Sequence, residues 1–375
     1  MSQFGAIGSL TWVAVVWALL VVAPASASAA PRGGVKTPVV HDVPFKVHLN
    51  GLDQTIMVHT NNEANPVLLV LHGGPGYAML PLMHKVHPQL EDEFTVVSWD
   101  QRGAGLSPET DPAHLTLAQL VDDAHDLTRW LMSTFGQNRI FIMGHSFGTV
   151  IGLRLLKQHP ADYEAFIGVG QTVNVAANEQ YSYDWVRQQA ESRSDADALT
   201  VLNALGRPDA GGQYPGKVPD GVSDQFDDGP SATSHYVGLY GGDVYGATGS
   251  GTVDEAIFSA GVYDKDAWND AWKFSQGIFD DREVFAFDFM DPTQGFQDFT
   301  APVYFFMGQH DYDTPVNLFE QYYATVVSGK AYVRFDNSAH FPFFEEPEKF
   351  REELVNVKRQ LMPPSGEPPP SPLAR

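Results

Sequence analysis

The sequence contains no cysteine, so disulfide bonds, thiolate metal sites and a cysteine nucleophile are all excluded. Basic residues are scarce as well: 23 Lys and Arg stand against 46 Asp and Glu, which gives a formal net charge of -23 at pH 7. A surface this acidic repels nucleic acid and anionic membranes, so we expect neither as a partner. Because no His and carboxylate cluster stands out at metal-ligand spacing, we also expect no metal and no cofactor.

The N-terminus has the composition of an export signal. Residues 10–23 form an almost wholly apolar run of about 14 residues, which is short for a membrane span. Small residues follow, with Ala-x-Ala sites that end at Ala27 or Ala29. We therefore expect residues 1–29 to be a cleaved signal peptide, with no stable membrane association afterwards. No Lys or Arg precedes the apolar run, so an uncleaved signal that anchors the protein to the membrane is the alternative.

The rest of the chain alternates between short apolar runs and helical patterns. Runs such as residues 67–72 and 94–99 are continuously apolar, as expected of strands buried on both faces of a sheet. The alternation stops after residue 169 and resumes at residue 303. This order predicts an α/β fold in which a mostly parallel central sheet, flanked by helices, is interrupted by an inserted domain.

These patterns divide the chain into six predicted segments. They are a signal peptide (1–29), a mature N-terminal segment (30–42), the first part of the core (43–170), the insertion (171–299), the second part of the core (300–362) and a proline-rich, disordered tail (363–375). Within the insertion, residues 207–251 are rich in Gly and Asp, and one interpretation is a surface loop with no role in the site.

The motif Gly144-His145-Ser146-Phe147-Gly148 follows an apolar run and precedes a helical pattern. Strand, G-x-S-x-G and helix in this order are the context of a nucleophile elbow, a sharp turn that holds a serine away from the backbone. Glycines on both flanks tolerate the close approach that such a turn requires. The pattern therefore predicts Ser146 as a nucleophile.

Four other loops follow predicted strands, and ligands of parallel sheets bind at the carboxyl ends of their strands. A serine hydroxyl needs a base within hydrogen-bond reach, and the base needs a third group to orient it. His340 is the predicted base. The third group is Asp311 or Asp313, and Asp311 is favoured because it lies closer to its strand, while Asp313 is predicted to cap the following helix.

The intermediate of acyl transfer carries an oxyanion, which backbone N–H groups must stabilise. Phe147, the residue after the nucleophile, is predicted to supply one N–H group from the start of a helix. The glycine loop at residues 72–76 is predicted to supply the other from Gly74, where the absence of a side chain lets the backbone approach the substrate. Glycines that only form a turn are the alternative.

Together these motifs resemble the α/β-hydrolase superfamily and, within it, the proline iminopeptidase group of serine peptidases. The resemblance covers roughly residues 43–361 and is carried by HGGPG, WDQRGAGLS, GHSFGT, GQHDYDTP and SAHFPFFEEP. It implies that the insertion is a mainly helical cap over the active site. It also implies the roles of these residues: Ser146 as nucleophile, Asp311 as acid, His340 as base, Gly74 and Phe147 as oxyanion donors, and Asp100 and Arg102 as structural residues.

The same resemblance implies an aminopeptidase that releases N-terminal proline or another small residue. Such an enzyme must bind a free ammonium group, and the resemblance implies that a cap carboxylate does so. Glu179 is the first acidic residue of the cap and is the predicted partner. A solvated residue favoured by the dipole at a helix N-terminus is the alternative interpretation of Glu179.

Family peptidases commonly have a glycine before the serine and a tryptophan after it, where this chain has His145 and Phe147. This departure bears on prolyl specificity and not on hydrolysis. An esterase or lactonase of the same fold, acting on small carboxylic esters, is therefore an alternative function. A non-catalytic binding protein on this scaffold is an alternative from another class. The expected partner is a small peptide or ester substrate, and the sequence leaves the oligomeric state open.

Overall fold

The fold is described for residues 42–109, 111–221, 228–247 and 251–363 of a computed structural model. The predicted signal peptide, the mature N-terminal segment up to residue 41 and the predicted tail beyond Pro363 lie outside these ranges. Within the described ranges, no helix is both long and apolar enough to cross a membrane.

The secondary structure alternates between strands and helices, as the sequence predicts. The described residues form strands β1 (Phe45–Leu49), β2 (Leu52–His59), β3 (Val67–Leu71), β4 (Thr95–Trp99), β5 (Ile140–His145), β6 (Tyr163–Val169), β7 (Val303–Gly308) and β8 (Lys330–Phe335). They also form helices α1 (Leu82–Val86), α2 (Leu117–Phe135), α3 (Phe147–Gln158), α4 (Val175–Arg193), α5 (Ala196–Leu205), α6 (Gly229–Leu239), α7 (Gly251–Phe258), α8 (Lys265–Gln276), α9 (Arg282–Ala286), α10 (Val316–Thr325), α11 (Pro342–Glu345) and α12 (Pro347–Leu361).

All eight strands belong to one sheet in the order β1-β2-β4-β3-β5-β6-β7-β8. β1 pairs antiparallel with β2 and β2 antiparallel with β4, whereas the five pairings from β4 to β8 are parallel. The prediction of a mostly parallel sheet flanked by helices is confirmed. The strand order reverses where β3 lies between β4 and β5, and this reversal opens a crevice at the carboxyl ends of the strands.

β3 shows why its sequence is apolar at every position. All five of its residues are buried. Alternate side chains of a strand point to opposite faces, so Leu69 belongs to the same buried cluster as residues of α2 and α3, while Leu68 belongs to the cluster that contains residues of α12. Both faces of the sheet are therefore covered, and the buried strands hold the loops at their carboxyl ends in fixed positions.

The insertion between β6 and β7 carries the six helices α4 to α9. α4 begins at Val175, where Asn174 caps it by accepting the N–H of Ala177 at 2.9 Å. Glu179 is consequently the fifth residue of α4, beyond its first turn, and does not lie at the helix N-terminus of the alternative interpretation. On α2, Thr116 caps the helix by accepting the backbone N–H of Gln119, and the Gln119 side chain donates to Asp123 at 2.8 Å.

Candidate active site

Ser146 joins β5 to α3 in a left-handed backbone conformation, with φ 53° and ψ -124°. The flanking glycines are required by contact: a Cβ on Gly148 would lie 2.2 Å from the carbonyl oxygen of Leu71, and one on Gly144 would lie 2.5 Å from that of Gly148. Strand, sharp turn and helix are arranged as the motif predicts. The serine is thereby presented at the carboxyl edge of the sheet.

The structure brings His340 and Asp311 together although they follow different strands. His340 Nδ1 lies 2.9 Å from Asp311 Oδ2, and both side chains are buried. Asp311 also accepts the Oγ1–H of Thr314 and the backbone N–H groups of Asp313 and Thr314 at 2.8 to 3.0 Å. These donors fix the carboxylate in one orientation, and the carboxylate in turn fixes the imidazole ring.

Asp313 does not cap α10, so that prediction is wrong. The helix begins at Val316, and Pro315 precedes it without a side-chain cap. The Asp313 carboxylate turns instead to the other imidazole nitrogen, and its Oδ2 lies 3.2 Å from His340 Nε2. Sequence reasoning missed this contact. The feature that could have indicated it is the spacing of Asp311 and Asp313, because two acids on one turn can both lie beside the same ring.

A carboxylate at each nitrogen stabilises the protonated ring. Burial alone lowers the pKa of His340, but Asp311 and Asp313, followed by Asp243, raise that pKa to about 10. Burial raises the pKa of Asp243 to about 8, and the charge of Asp313 adds to that rise. Among the described residues, no hydrogen bond joins Ser146 Oγ to His340. In this state, therefore, the ring faces Asp313 through the nitrogen that would have to accept the serine proton.

A cavity of about 110 Å³ connects these groups with the insertion. Gly74, Ser146 and Phe147 line it from the sheet side, and Glu179 lines it from α4. Phe147 is the first residue of α3, and the first N–H groups of a helix have no acceptor inside that helix. The predicted nucleophile, the two predicted oxyanion donors and the predicted ammonium partner thus share one cavity. Asp313 lines it as well.

Part of the Gly- and Asp-rich stretch also lines the cavity, through Thr233 and Val237 of α6. The interpretation of residues 207–251 as a surface loop with no role in the site is therefore wrong for α6. Tyr214, in the same stretch, donates its hydroxyl to Glu179 Oε2 at 2.9 Å and lies 2.6 Å from the Thr233 hydroxyl. Sequence patterns did not reveal these partners, because 35 residues separate Tyr214 from Glu179.

Glu179 is partly buried, not a freely solvated residue at a helix N-terminus. Burial raises the pKa of Glu179 to about 7, the hydrogen bond from Tyr214 opposes that rise, and the negative charges of Asp313 and Asp228 add to it. The residues lining the cavity include no Lys or Arg. The negative charges of Glu179 and Asp313 consequently repel one another across the cavity. No Lys or Arg among the described lining residues offsets them.

Two further residues position His340. Gly170, just after β6, has φ 56°, and a Cβ there would lie 2.9 Å from both Cε1 and Nδ1 of the imidazole. The His145 ring is buried beside that of His340, and its Nε2 donates to the His340 carbonyl oxygen at 2.9 Å. His145 and Gly170 therefore pack against the His340 ring and fix its position.

The two remaining loops brace the site. His72 Nδ1 donates to the Gly73 carbonyl oxygen at 2.9 Å, and the backbone N–H of Gln101 donates to His72 Nε2 at 3.2 Å. Arg102 is buried and donates through both Nε and Nη2 to the Asp123 carboxylate, at 2.7 and 3.1 Å. These contacts tie the glycine loop to the loop after β4 and agree with structural roles for His72 and Arg102.

Two clusters among the described residues have the composition of a metal site, and sequence spacing did not reveal either. They are His59, His84 and Glu91, and His125, His159 and Asp162. In each cluster the two rings stack, with interplanar angles of 9° and 4°. The lone pairs of parallel rings run side by side and do not converge, so neither cluster in this conformation is a preformed tetrahedral site.

Comparison with known proteins identifies the family and the fold. A family model described as the alpha/beta hydrolase family matches residues 67–353. Over 326 residues the chain is 27% identical to the probable aminopeptidase YbaC of Bacillus subtilis (strain 168), covering 84% of this chain and 95% of that protein.

Solved structures with this architecture include both peptidases and esterases. The proline iminopeptidase of Mycobacterium smegmatis has a TM-score of 0.58 at 19% identity, covering 85% of this chain and 98% of its own. The esterase RhEst1 of Rhodococcus sp. ECU1013 has a TM-score of 0.56 at 17% identity, covering 85% and 99%. At such identities these structures establish the fold alone.

Proposed function

Because the chain belongs to the alpha/beta hydrolase family, it is a hydrolase, and we propose that it is a serine aminopeptidase that releases proline or another small residue from the N-terminus of peptides. The observation that carries this proposal is the pair of carboxylates, Glu179 and Asp313, in the cavity that contains Ser146. A cavity lined by two acids and no Lys or Arg favours a cationic ligand. The relative in Bacillus subtilis named as a probable aminopeptidase also supports it.

In the proposed reaction, Ser146 Oγ attacks the carbonyl carbon of the first peptide bond, and its proton passes to His340 Nε2. The same proton then moves to the leaving amine as the C–N bond breaks. Water next attacks the acyl-enzyme, with His340 again taking and returning the proton, and the amino acid leaves. Asp311 keeps Nδ1 protonated and orients the ring, for which the 2.9 Å contact is suited.

The carbonyl oxygen becomes negatively charged in the tetrahedral intermediate. We assign the N–H groups of Phe147 and Gly74 to stabilise it, since both residues line the cavity next to Ser146. The cavity volume of about 110 Å³ is well below the roughly 300–1,000 Å³ typical of drug-sized ligands. This small volume supports a small residue at the substrate N-terminus.

Glu179 is the proposed partner of the substrate ammonium group. An ammonium beside Glu179 would stabilise its charged form and reverse the effect of burial on its pKa. A blocked N-terminus offers no such charge and would leave a partly buried carboxylate unpaired, which costs binding free energy. This difference would make the enzyme selective for free N-termini.

The test compares prolyl and alanyl p-nitroanilides with their N-acetylated forms and with p-nitrophenyl acetate, using the purified chain. We expect the free-amine anilides to be cleaved and the acetylated forms to be ignored. Equal cleavage of blocked and free anilides, or cleavage of the ester alone, would contradict the aminopeptidase proposal and favour an esterase.

A further inference from the structure

Asp313 links the substrate pocket to the proposed base. Its carboxylate lines the cavity that Ser146 and Glu179 also line, and its Oδ2 lies 3.2 Å from His340 Nε2. Nε2 is the nitrogen that must accept the Ser146 proton, and it can do so only when it carries a lone pair. A protonated Nε2 that forms an ion pair with Asp313 has none.

We infer that Asp313 is a specificity-determining residue that acts through His340: it holds Nε2 protonated while the pocket is empty, and a substrate ammonium group releases it. This inference rests on the proposed aminopeptidase function. Asp313 controls the protonation of His340 in addition to any contribution that it makes to substrate binding. Selectivity for a free amino group would then arise at the proton-transfer step as well as at binding.

This step transfers one proton, from His340 Nε2 to solvent. In the free enzyme the imidazolium donates Nδ1–H to Asp311 and is paired through Nε2 with the Asp313 carboxylate, 3.2 Å away. An ammonium group that enters beside Glu179 offers Asp313 a second cation and neutralises part of its charge on the ring. The Nε2 proton then leaves to solvent, Asp311 keeps the Nδ1 proton, and Nε2 regains the lone pair with which it accepts the serine proton.

The surroundings of the ring make this control strong. Asp311 and Asp313 face it from the loop after β7, and Asp243 of the insertion, whose carbonyl oxygen accepts the backbone N–H of His340 at 2.8 Å, also acts on the ring through its charge. Of the other groups near the site, Glu345 of α11 accepts backbone N–H groups on both sides of His340, and Glu179 of α4 lies across the cavity. His145, beside the ring, is held neutral by burial, which lowers its pKa well below the usual value. The carboxylates of Asp311, Asp313 and Asp243 thus oppose loss of the ring proton, and Asp313 is the one that contacts Nε2.

The first experiment uses the wild-type chain and a neutral ester, so it needs no variant. Cleavage of p-nitrophenyl acetate is followed while methylammonium chloride is added at constant ionic strength, with tetramethylammonium chloride as the control cation. Methylammonium should raise kcat for the ester several-fold, because it can donate hydrogen bonds to Asp313 and Glu179, while tetramethylammonium should not. No acceleration by methylammonium, or equal acceleration by both cations, would overturn the inference.

The second experiment is Asp313→Asn, with Asp336→Asn as the control, because Asp336 is an exposed acid away from the imidazole, paired with Arg334. Ester kcat/KM is measured from about pH 5 to about pH 9. Removing one carboxylate from Nε2 should move the acid limb of this profile down by about one pH unit and raise ester kcat/KM at neutral pH by about tenfold. Methylammonium should no longer accelerate the variant.

An acid limb and an ester kcat/KM that stay at wild-type values in Asp313→Asn would overturn the inference. Titration with a serine-directed phosphonate counts folded active sites and so separates a change in rate from a loss of folded protein. If the wild type cleaves the ester but neither free-amine anilide, the proposed aminopeptidase function fails. The ester profile and the methylammonium effect still decide the role of Asp313 in that case.

Discussion

Asp311, which is buried, and Glu179, which is partly buried, are two carboxylates of the proposed site that differ in how their charge is balanced. Asp311, on the sheet side, accepts bonds from the side chain of Thr314, from two backbone N–H groups and from His340. Glu179, on the insertion side, accepts a bond from Tyr214 and faces the negative charges of Asp313 and Asp228. The charge on Asp311 is thus satisfied by the protein itself, whereas the charge on Glu179 needs a cation from outside.

This difference separates the two tasks of the proposed enzyme. On the sheet side, Asp311 and His340 are held by hydrogen bonds before any substrate arrives, which orients the base for proton transfer. The insertion side retains an unfavourable charge that a suitable ligand relieves, which is a means of selection. Variants of Ser146 and Asp311 on the sheet side should therefore lose activity on every substrate, and variants of Glu179 on the insertion side should lose it on free-amine substrates alone.

The largest effect is expected at Ser146. Ser146→Ala should lower kcat by at least ~10³-fold on anilides and esters alike, because the covalent route is removed while binding persists. A serine-directed phosphonate should label the wild type and the control Ser182→Ala, a serine that lines the same cavity, but not Ser146→Ala. Labelling of Ser146→Ala at the wild-type rate would contradict its role as nucleophile.

Asp311→Asn should have the next largest effect, a fall of about 10² to 10³-fold in kcat, because an amide in this position can hold the imidazole in the wrong tautomer. The fall should be similar for anilide and ester, since both reactions use the same base. Steady-state kinetics on both substrates measures it. A loss confined to the free-amine anilide would place Asp311 in substrate binding and leave His340 without its proposed orienting acid.

Glu179→Gln tests the insertion side. It should raise KM for the free-amine anilide by about tenfold, since the ammonium group loses its ionic partner, and should change the ester reaction by less than about twofold. Glu191→Gln is the matched control, because Glu191 is an exposed acid on the same helix, paired with Arg187. Equal losses on both substrates would show that Glu179 supports the fold of the site and does not select the substrate.

The sheet side could be predicted from the sequence because its signals are local. Ser146 follows an apolar run and is flanked by two glycines, and each of these features is readable within ten residues. His340 and Asp311 follow strands, and parallel strands bring their carboxyl ends to one edge of the sheet whatever their distance in sequence. The pattern thus predicted which loops meet. The direction of each side chain within its loop was a separate question.

That question explains why Asp313 was predicted wrongly. Capping the helix and contacting His340 Nε2 differ only by a rotation of the Asp313 side chain. In the structure, Asp311 accepts the N–H groups of Asp313 and Thr314, which leaves the Asp313 carboxylate to contact Nε2. The environment of Glu179 could not be predicted from the sequence either. Its partner Tyr214 comes from a stretch whose Gly- and Asp-rich composition indicated a loop, and only the packing of α4 against α6 brings Tyr214 and Thr233 beside it.

The smallest expected effect concerns stability, and it tests whether the charge on Glu179 is unfavourable in the empty enzyme. Burial raises its pKa from 4.5 to about 7, so the folded state takes up a proton between these values that the unfolded chain does not. Stability from this group is therefore fully present below about pH 4.5 and is lost as pH rises through about 7. Glu179→Gln should then be more stable than the wild type by about 1 kcal/mol at pH 8, after allowance for its partial exposure, and the difference should shrink towards pH 5. Urea denaturation at both pH values measures this, with Glu191→Gln expected to show no such trend. A variant less stable than the wild type at pH 8 would mean that the Glu179 charge is already satisfied without a substrate.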